Sequence, residues 1–527
     1  MVVEYRKAIF NRCETVNVNL WSNIWNMKRT RTTAYVFWGV ALLYLALSPG
    51  TVEGMAYAGE EFRAGSQIMA NAVALMKGNP SSPIDWPRHG PLAALFDLPL
   101  VWLGAHLKGC LNQDWAASLE PVLLTSLLVT VLFLWLRRLT SPGWSFLLAL
   151  VAGFCTMLWP YAYIGVEVKQ SVALILAGYL GLTDDGKASW PRVVLFALSC
   201  AVAVSVKASG TFLVPAILFL IGCYYWRYSF QQMRQLMPKL LVTVAIILVV
   251  YFSNSVLRSL FYIHTGGQAQ FFKFWLVSGS TAFLLQVVGY FGSPNKGLIV
   301  YAPVVLLSFW AFPRFLKEHR ALAIFALLVL GGLVSGHALQ KGYTDETWGP
   351  RYLHGAIAPL ILCIGATRER LRLRTAIPVL AVLVLAALGF WVSFLGAFFW
   401  YGVQQRAAID VSQSTLEAMQ GDTVWNPVLL DERLFSYYLH GGQRFWTPGH
   451  IWWFEKPPDA PAVRDVDLAK YAFPQSFLIR FCRVPLHGGL KRLWYFYLAC
   501  LPVGLLLLIR AGWTQARADP YRLEDDW

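Results

Sequence analysis

Long apolar runs separated by short polar segments form the main pattern along this chain. Most runs approach the length of about 17–25 residues that crosses a hydrocarbon core of about 30 Å. They are too long, and alternate too little, for the strands of a membrane barrel. The pattern predicts an all-α polytopic membrane protein with about twelve transmembrane helices. We place these helices at residues 34–49, 119–135, 146–161, 171–182, 193–206, 212–225, 240–255, 298–312, 321–339, 353–367, 376–400 and 493–509.

Basic residues at the ends of these runs predict the orientation of the helices. Lys28, Arg29 and Arg31 precede the first run, which places the N-terminus in the cytoplasm by the positive-inside rule. Alternation from there puts the later basic clusters and the C-terminus on the same side. The chain then divides into a cytoplasmic segment (1–33), a transmembrane module (34–400) with a first external loop at 51–118, an external aromatic-rich segment (401–491), and a last transmembrane helix with a cytoplasmic tail (492–527). Within the first external loop, we expect juxtamembrane helices over 65–76 and 92–106.

The composition indicates a chain that is solvated mainly by lipid. Of its 527 residues, 57% are hydrophobic and 14% are charged, whereas a soluble domain carries about 25% charged residues. The net charge of +15 does not indicate nucleic-acid binding, because the basic residues cluster at helix ends, where they contact anionic headgroups. The eight cysteines have no metal-binding spacing. We therefore expect membrane lipids as partners, no nucleic acid and no cofactor.

The first external loop carries polar groups that a simple connector between membrane helices does not need. Glu60 and Glu61 lie side by side in this loop. A carboxylate at the low-dielectric edge of a membrane can act as a general base on a hydroxyl group. Arg88 and His89 follow, directly before a Gly-Pro turn into a predicted helix. An arginine there either binds a phosphate bidentately or anchors the loop at the lipid headgroups.

Glu167 lies at the external start of a later apolar run, within the sequence Val-Glu-Val-Lys. Ionisable groups at such positions are candidates for function. Two interpretations stay open from the sequence. Glu167 serves as a second acid that faces Glu60 or Glu61, or it merely pairs with the nearby Lys169.

Three more basic residues lie at the predicted external ends of helices, each near a Gly or Pro. Lys207 lies between two runs as an unpaired lysine, which suits a phosphate better than lipid. Lys296 follows a turn, and Arg351 comes directly before a run. Together with Arg88, these external cations oppose the positive-inside trend. They indicate an anionic partner, for which a lipid phosphate is the simplest candidate.

Four segments, in this order along the chain, resemble motifs of a known family. Glu60-Glu61 stands where that family has an acidic first-loop motif, with Glu in place of the usual Asp, and His89-Gly-Pro-Leu92 is similar to its His/Lys-Pro-Pro-Leu turn. Ser293-Pro-Asn-Lys-Gly-Leu298 and Trp348-Gly-Pro-Arg-Tyr-Leu353 look like two motifs of bacterial members. The layout resembles the GT-C superfamily of polyprenyl-phosphate-sugar glycosyltransferases, among the protein mannosyltransferases and lipid A aminoarabinose transferases. This implies a GT-C-like helical bundle.

The resemblance also implies an activity, the transfer of one sugar from a polyprenyl-phosphate donor to a hydroxyl group of an external acceptor. The acceptor would be a protein, lipid A or an envelope glycan. The catalytic carboxylates would be Glu60 or Glu61 as the base, with Glu167 beside them. The donor phosphate would be bound by Arg88, Lys207, Lys296 and Arg351. Substrate contacts are expected from Trp86, His89, Tyr301, Asp345, Glu346, Tyr352 and His354.

No metal is required if cations of the chain stabilise the departing phosphate, although a divalent ion beside the three glutamates stays open. The expected location is a bacterial inner membrane, with the active site on the periplasmic face.

Two other functions stay open from the sequence. A ligase or polymerase of lipid-linked polysaccharides would also place arginine and acidic groups outside, but it would handle long glycans rather than single sugars. A flippase or transporter of lipid-linked sugars is the second alternative. Transporters often contain matched halves with interrupted helices, and no such symmetry is visible in this sequence.

Overall fold

A computed structural model of the chain describes most of the predicted apolar runs. The described residues are 30–48, 91–106, 113–163, 165–183, 189–226, 230–264, 280–339, 348–367, 376–399, 407, 409–411, 425–440, 479 and 488–517. They are predominantly helical, which confirms the expected all-α polytopic membrane protein. The expected helix over 65–76 and most of the segment 401–491 lie outside the described residues.

The helices of the described residues are numbered here in chain order. The first nine are α1 (30–47), α2 (Pro91–His106), α3 (Gln113–Leu136), α4 (Pro142–Phe154), α5 (Leu158–Tyr161), α6 (Gly165–Leu182), α7 (Trp190–Ser205), α8 (Val214–Trp226) and α9 (Phe230–His264). The others are α10 (Ser280–Gly292), α11 (Leu298–Tyr301), α12 (Val305–Glu318), α13 (Arg320–Leu339), α14 (Ile357–Thr367), α15 (Ala376–Phe398), α16 (Pro427–His440) and α17 (Gly488–Ala516). Two 3-10 turns, Ala208–Leu213 and Arg351–Ala356, lead into α8 and α14.

Six helical stretches of the described residues are long and apolar enough to cross a membrane, by length and composition. They are Leu119–Leu136, Ser209–Trp226, Leu236–Leu257, Arg320–Leu339, Leu380–Phe398 and Lys491–Ala516. Several shorter apolar helices lie between them in the sequence. The total of about twelve crossings and the orientation of the chain stay predictions.

Two of the predicted transmembrane runs are interrupted in the structure. The run 146–161 consists of α4 and the short α5, and Thr156 forms the turn between them. Its hydroxyl group donates to the carbonyl oxygen of Ala152 at 2.6 Å and accepts from the backbone N–H of Leu158 at 3.2 Å. The run 298–312 consists of α11 and α12, separated at Pro303, which has no N–H for a continuous helix.

Helix α6 lies in the middle of the bundle. Helices α3, α7 and α8 and the 3-10 turn Arg351–Ala356 pack around it, and it is buried along nearly its whole described length. By contrast, α9 lies at the periphery, where few residues of its apolar stretch Leu236–Leu257 are buried. Because α6 is surrounded by other helices, its charged residues Glu167 and Lys169 are kept away from lipid. They must find their partners inside the protein.

Candidate functional site

Glu167, Lys207 and Arg351 form a buried ion cluster at the N-terminal end of α6, which we call the Glu167 cluster. The Oε1 oxygen of Glu167 pairs with Nζ of Lys207 and, at 3.4 Å, with Nε of Arg351. Burial of ions costs free energy unless they are paired, and here one carboxylate holds two cations. These two ion pairs bring two positive charges onto a single negative charge.

The three members of the cluster differ in their access to a ligand. The side chain of Arg351 is 17% exposed, whereas those of Lys207 and Glu167 are 7% and 5% exposed. Arg351 begins the 3-10 turn before α14, and Lys207 directly precedes the 3-10 turn before α8. Arg351 is therefore the member of the cluster that is most accessible to a ligand.

An aromatic ring lies against both cations of the Glu167 cluster. Nζ of Lys207 lies 4.8 Å and Cζ of Arg351 lies 5.0 Å from the ring centre of Tyr352. Both distances fall within the range of cation–π attraction. The ring of His337 in α13 stacks on Tyr352 with centres 4.0 Å apart. Tyr352 thus restricts the positions of both cationic groups.

His354 is linked to the backbone of Glu167 through Ser171. The Ser171 hydroxyl group donates to the carbonyl oxygen of Glu167 at 2.8 Å and contacts Nδ1 of His354 at 2.6 Å. Because the single hydroxyl proton is used by the carbonyl group, Nδ1–H of His354 is the donor to Ser171. The His354 ring is fully buried, and its centre lies 5.3 Å from that of Tyr161.

The segments 293–301 and 348–353, which contain the last two of the four motifs, pack directly on each other. The rings of Tyr301 and Trp348 meet edge to face at 5.1 Å. Gly349 follows with φ of 58°, and a Cβ atom at that position would lie 2.6 Å from the Tyr301 ring. Only glycine satisfies both conditions without strain. The backbone carbonyl of Trp348 accepts a hydrogen bond from the Tyr161 hydroxyl at 2.7 Å, so this contact also reaches α5.

Lys296 lies in the turn of the first of these motifs and is buried. The Ser293 hydroxyl accepts from the backbone N–H of Asn295 at 3.1 Å, and the Tyr301 hydroxyl donates to the carbonyl oxygen of Pro294 at 3.2 Å. The turn is therefore held by its own side chains and by the tyrosine that contacts Trp348. Lys296 comes from an element adjacent to the one that carries Arg351.

The structure gives two lysines partners that the sequence did not identify. Lys207 is paired with Glu167, although the sequence suggested an unpaired lysine. Lys169 pairs at 3.6 Å with Glu120 of α3, and not with Glu167. Residues two positions apart on a helix point to different faces, so Glu167 and Lys169 reach partners on different sides of α6. This removes the interpretation in which Glu167 merely pairs with Lys169.

The start of α2, which lies within the predicted first external loop, is attached to the bundle beside the Glu167 cluster. The side chain of Asn254 in α9 accepts from the backbone N–H of Leu92 at 3.0 Å and donates to the carbonyl oxygen of Ser205 at 2.6 Å. Nζ of Lys169 donates to the carbonyl oxygen of Ala93 at 3.0 Å. Ser205 is two residues before Lys207, so one buried amide connects the start of α2 to the chain that presents this lysine.

A groove on α13 accommodates the 3-10 turn that follows Lys207. Gly332 and Gly336 lie one helical turn apart, and Phe212 fills the space between their backbones and α8. A Cβ atom at Gly332 would lie 2.3 Å from the carbonyl oxygen of Phe212, and one at Gly336 would lie 2.2 Å from its ring. The close approach depends on the absence of side chains. The groove thereby fixes the position of the 3-10 turn Ala208–Leu213, which Lys207 directly precedes.

The structure brings together the predicted site residues that it describes. Glu167, Lys207 and Arg351 form one cluster, and Tyr352 lies against its two cations. His354 is linked to it through Ser171, and Lys296 and Tyr301 lie in the adjoining segment 293–301. The others, namely Glu60, Glu61, Trp86, Arg88, His89, Asp345 and Glu346, lie outside the described residues. In the part of the chain that is described, no group of three or more His, Cys, Asp or Glu residues could hold a metal ion.

Several buried polar residues in the helices around the site were not identified from the sequence. Asn254, Ser171 and Glu120 are buried polar groups within predicted apolar runs or at their ends. A buried amide, hydroxyl or carboxyl group needs hydrogen-bond or ionic partners, and this need is the signal that marks them. Their partners lie far away in the sequence, however, and only the fold identifies them.

Comparisons with known proteins give a structural likeness and no sequence match. No protein-family model and no curated protein matches the chain. The chain is similar in structure to ArnT from Cupriavidus metallidurans bound to undecaprenyl phosphate, with a TM-score of 0.46 and 13% identity over 92% of this chain and 77% of ArnT. The apo state of ArnT gives a TM-score of 0.46 and 14% identity, with coverages of 94% and 78%.

A second similar structure is the archaeal oligosaccharyltransferase AglB from Archaeoglobus fulgidus, in complex with an inhibitory peptide and a dolichol-phosphate. Its TM-score is 0.39 at 12% identity, over 82% of this chain and 61% of AglB. ArnT and AglB are members of the GT-C superfamily, which the sequence motifs resemble. At this identity and TM-score, the likeness says nothing about the roles of individual residues.

Proposed function

We propose that this chain is an integral-membrane glycosyltransferase that moves a single sugar from a polyprenyl-phosphate donor to an external acceptor hydroxyl on a protein, lipid A or an envelope glycan. The observation that carries the proposal is the Glu167 cluster. Lys207 and Arg351 lie side by side on one carboxylate inside an apolar helical bundle. Such a site combines cations for a phosphate with apolar helices that can accommodate a lipid chain.

The chemistry assigned to these residues is a single displacement. Glu60 or Glu61 takes the proton of the acceptor hydroxyl, and the oxygen forms a bond to the anomeric carbon of the sugar. The bond from that carbon to the phosphate oxygen breaks, and its electron pair leaves with the lipid phosphate. Arg351 and Lys207, with Lys296 and Arg88, stabilise the negative charge that develops there, which is commonly the largest electrostatic contribution in such a reaction.

The attachment of α2 supports this assignment of the base. Leu92 lies in the predicted first external loop, at the start of α2, and Asn254 holds it next to the segment that carries Lys207. The loop that carries Glu60 and Glu61 therefore joins the bundle beside the proposed phosphate site. We assign the site to the periplasmic face of a bacterial inner membrane, in agreement with the orientation predicted from the basic residues.

The test is the transfer of radiolabelled sugar from membrane polyprenyl-phosphate donors into envelope fractions. Glu60→Gln, Glu61→Gln and Arg351→Ala are compared with the wild type and with Arg314→Ala, a control for arginine removal. Arg314 pairs with Glu318 in α12, at the opposite, predicted cytoplasmic side. We expect loss of labelled product in one glutamate variant and in Arg351→Ala, and wild-type transfer in the control.

The alternatives give different results in the same assay. Unchanged labelling in all three site variants would contradict the proposed site. Labelled products of many sugar units would indicate a polysaccharide ligase or polymerase. Donor that crosses the membrane without forming any product would indicate a flippase.

A further inference from the structure

The Glu167 cluster contains a feature that the proposed reaction does not use, namely its own buried negative charge. Phosphate binding alone requires only the two cations. Glu167 is 4% exposed, and its Oε1 oxygen contacts both Lys207 and Arg351. Since this oxygen is occupied by two cations, the base of the reaction is better assigned to the loop carboxylates. Another role must explain the buried carboxylate.

We propose that Glu167 is a counter-anion that limits how tightly the cluster holds the departing lipid phosphate. This inference rests on the proposed function. The donor is a phosphodiester with one negative charge, whereas the lipid product is a phosphomonoester that carries up to two negative charges at neutral pH. Without the charge of Glu167, the two cations would retain the product more strongly than the donor and would slow its release.

Coulomb's law gives the size of the effect that the Glu167 charge has on phosphate binding. A phosphate in contact with Lys207 and Arg351 lies two hydrogen-bond lengths, about 6 Å, from Glu167 Oε1. At that distance, with an effective dielectric constant of about 40, one unit charge changes a dissociation constant about tenfold for each charge on the ligand. Glu167 therefore weakens the binding of a diester about tenfold and of a monoester about a hundredfold. The ratio of the two affinities changes about tenfold.

Glu167→Gln tests this charge with little change in shape. Glutamine keeps one Oε1 acceptor for the cations, removes the negative charge and replaces the second carboxylate oxygen by an NH2 group of similar size. The probes are undecaprenyl phosphate, a monoester, and its methyl ester, a diester with one charge. Their dissociation constants are measured with purified full-length protein in detergent at pH 8, where the monoester is a dianion because its second pKa is about 6.

The expected result is that Glu167→Gln binds both probes more tightly and that its preference for the monoester over the diester rises about tenfold. Lys207→Gln, which removes a positive charge, is expected to lower this preference below that of the wild type. Glu120→Gln is the matched control, because Glu120 is also a buried carboxylate paired with a lysine, Lys169. The control should keep the wild-type preference.

The opposing outcomes are distinct. If the wild type binds the probes tightly and Glu167→Gln shows an unchanged or lower preference for the monoester, the counter-anion role is wrong. This holds even if Glu167→Gln loses sugar transfer. If Glu167→Gln does not yield folded protein, an unchanged preference in Lys207→Gln would overturn it in the same way. If the wild type binds neither probe, the proposed donor site itself is wrong, and the inference is wrong with it.

Discussion

Replacement of Gly332 by alanine tests whether the groove on α13 positions Lys207. The added Cβ atom would lie 2.3 Å from the carbonyl oxygen of Phe212. A normal carbon–oxygen contact is about 3.3 Å, so the 3-10 turn must move by about 1 Å. Overpacking of this kind costs about 1–3 kcal/mol. The same substitution favours the helix by about 1 kcal/mol, which partly hides the steric cost.

Gly331 provides the matched control, because it is the preceding residue of the same helix and has no atom within 4 Å of the position of an added Cβ. Gly331→Ala gains the same helix propensity without the clash. The difference in stability between the two alanine variants therefore isolates the steric cost of about 1–3 kcal/mol. The assay is thermal unfolding of the purified variants in detergent. We expect Gly331→Ala to melt at or above the wild type and Gly332→Ala to melt below it.

The functional consequence concerns Lys207, which directly precedes the displaced turn. A misplacement of about 1 Å can lower a rate about a hundredfold, so sugar transfer should fall by up to about that factor in Gly332→Ala and stay at the wild-type rate in Gly331→Ala. Equal melting temperatures and equal transfer rates in the two variants would refute the claim that the groove holds this turn.

Two further predictions concern buried polar groups. Asn254→Leu removes the amide that binds the backbone N–H of Leu92 and the carbonyl group of Ser205. We expect a loss of stability of about 1–3 kcal/mol for each group left unsatisfied, and therefore a lower melting temperature. A melting temperature equal to that of the wild type would contradict the link between α2 and the segment before Lys207. Burial raises the pKa of Asp431 in α16, in the predicted external segment, well above its usual value of 3.8. Since the folded state then holds the proton more tightly, this contribution to stability is present below pH 3.8 and is lost as the pH rises through the raised pKa. Asp431→Asn should flatten the profile of melting temperature against pH, and an unchanged profile would rule out this carboxyl group as its source.

The fold class was predictable because lipid imposes a strong rule on the sequence. Apolar runs in a membrane protein must be helices, and most predicted runs correspond to helices in the structure. The interruptions were harder to predict. Pro303 marks the break between α11 and α12. The turn at Thr156 depends instead on a hydroxyl group that donates a hydrogen bond to a preceding carbonyl group and accepts one from a following backbone N–H.

The residue types of the site were also predictable, whereas their pairing was not. Lys207 and Arg351 were identified because basic residues at the predicted external ends of helices oppose the positive-inside trend. Their shared partner, Glu167, is 40 residues from Lys207 in the sequence, and no local pattern connects them. The nearer Lys169 was a reasonable partner by distance along the chain, but helix geometry directs it to Glu120 instead.

The glycines of α13 illustrate a third limit. Gly332 and Gly336 lie within an apolar run and look like ordinary small residues of a membrane helix. Their importance comes from Phe212, which belongs to a different segment and contacts them only in the folded chain. Close backbone contacts of this kind follow from the packing, so the sequence can indicate that a helix has a small-residue face but not which turn occupies it.

The central claim is that Lys207 and Arg351 bind the phosphate of a polyprenyl-linked donor. The most direct measurement is an electron cryo-microscopy structure of the full chain in lipid nanodiscs with added undecaprenyl phosphate. We predict that the phosphate contacts the guanidinium group of Arg351 and the ammonium group of Lys207, with the lipid chain running between apolar helices. A phosphate bound elsewhere, with the Glu167 cluster unchanged and unoccupied in that experiment, would contradict the account.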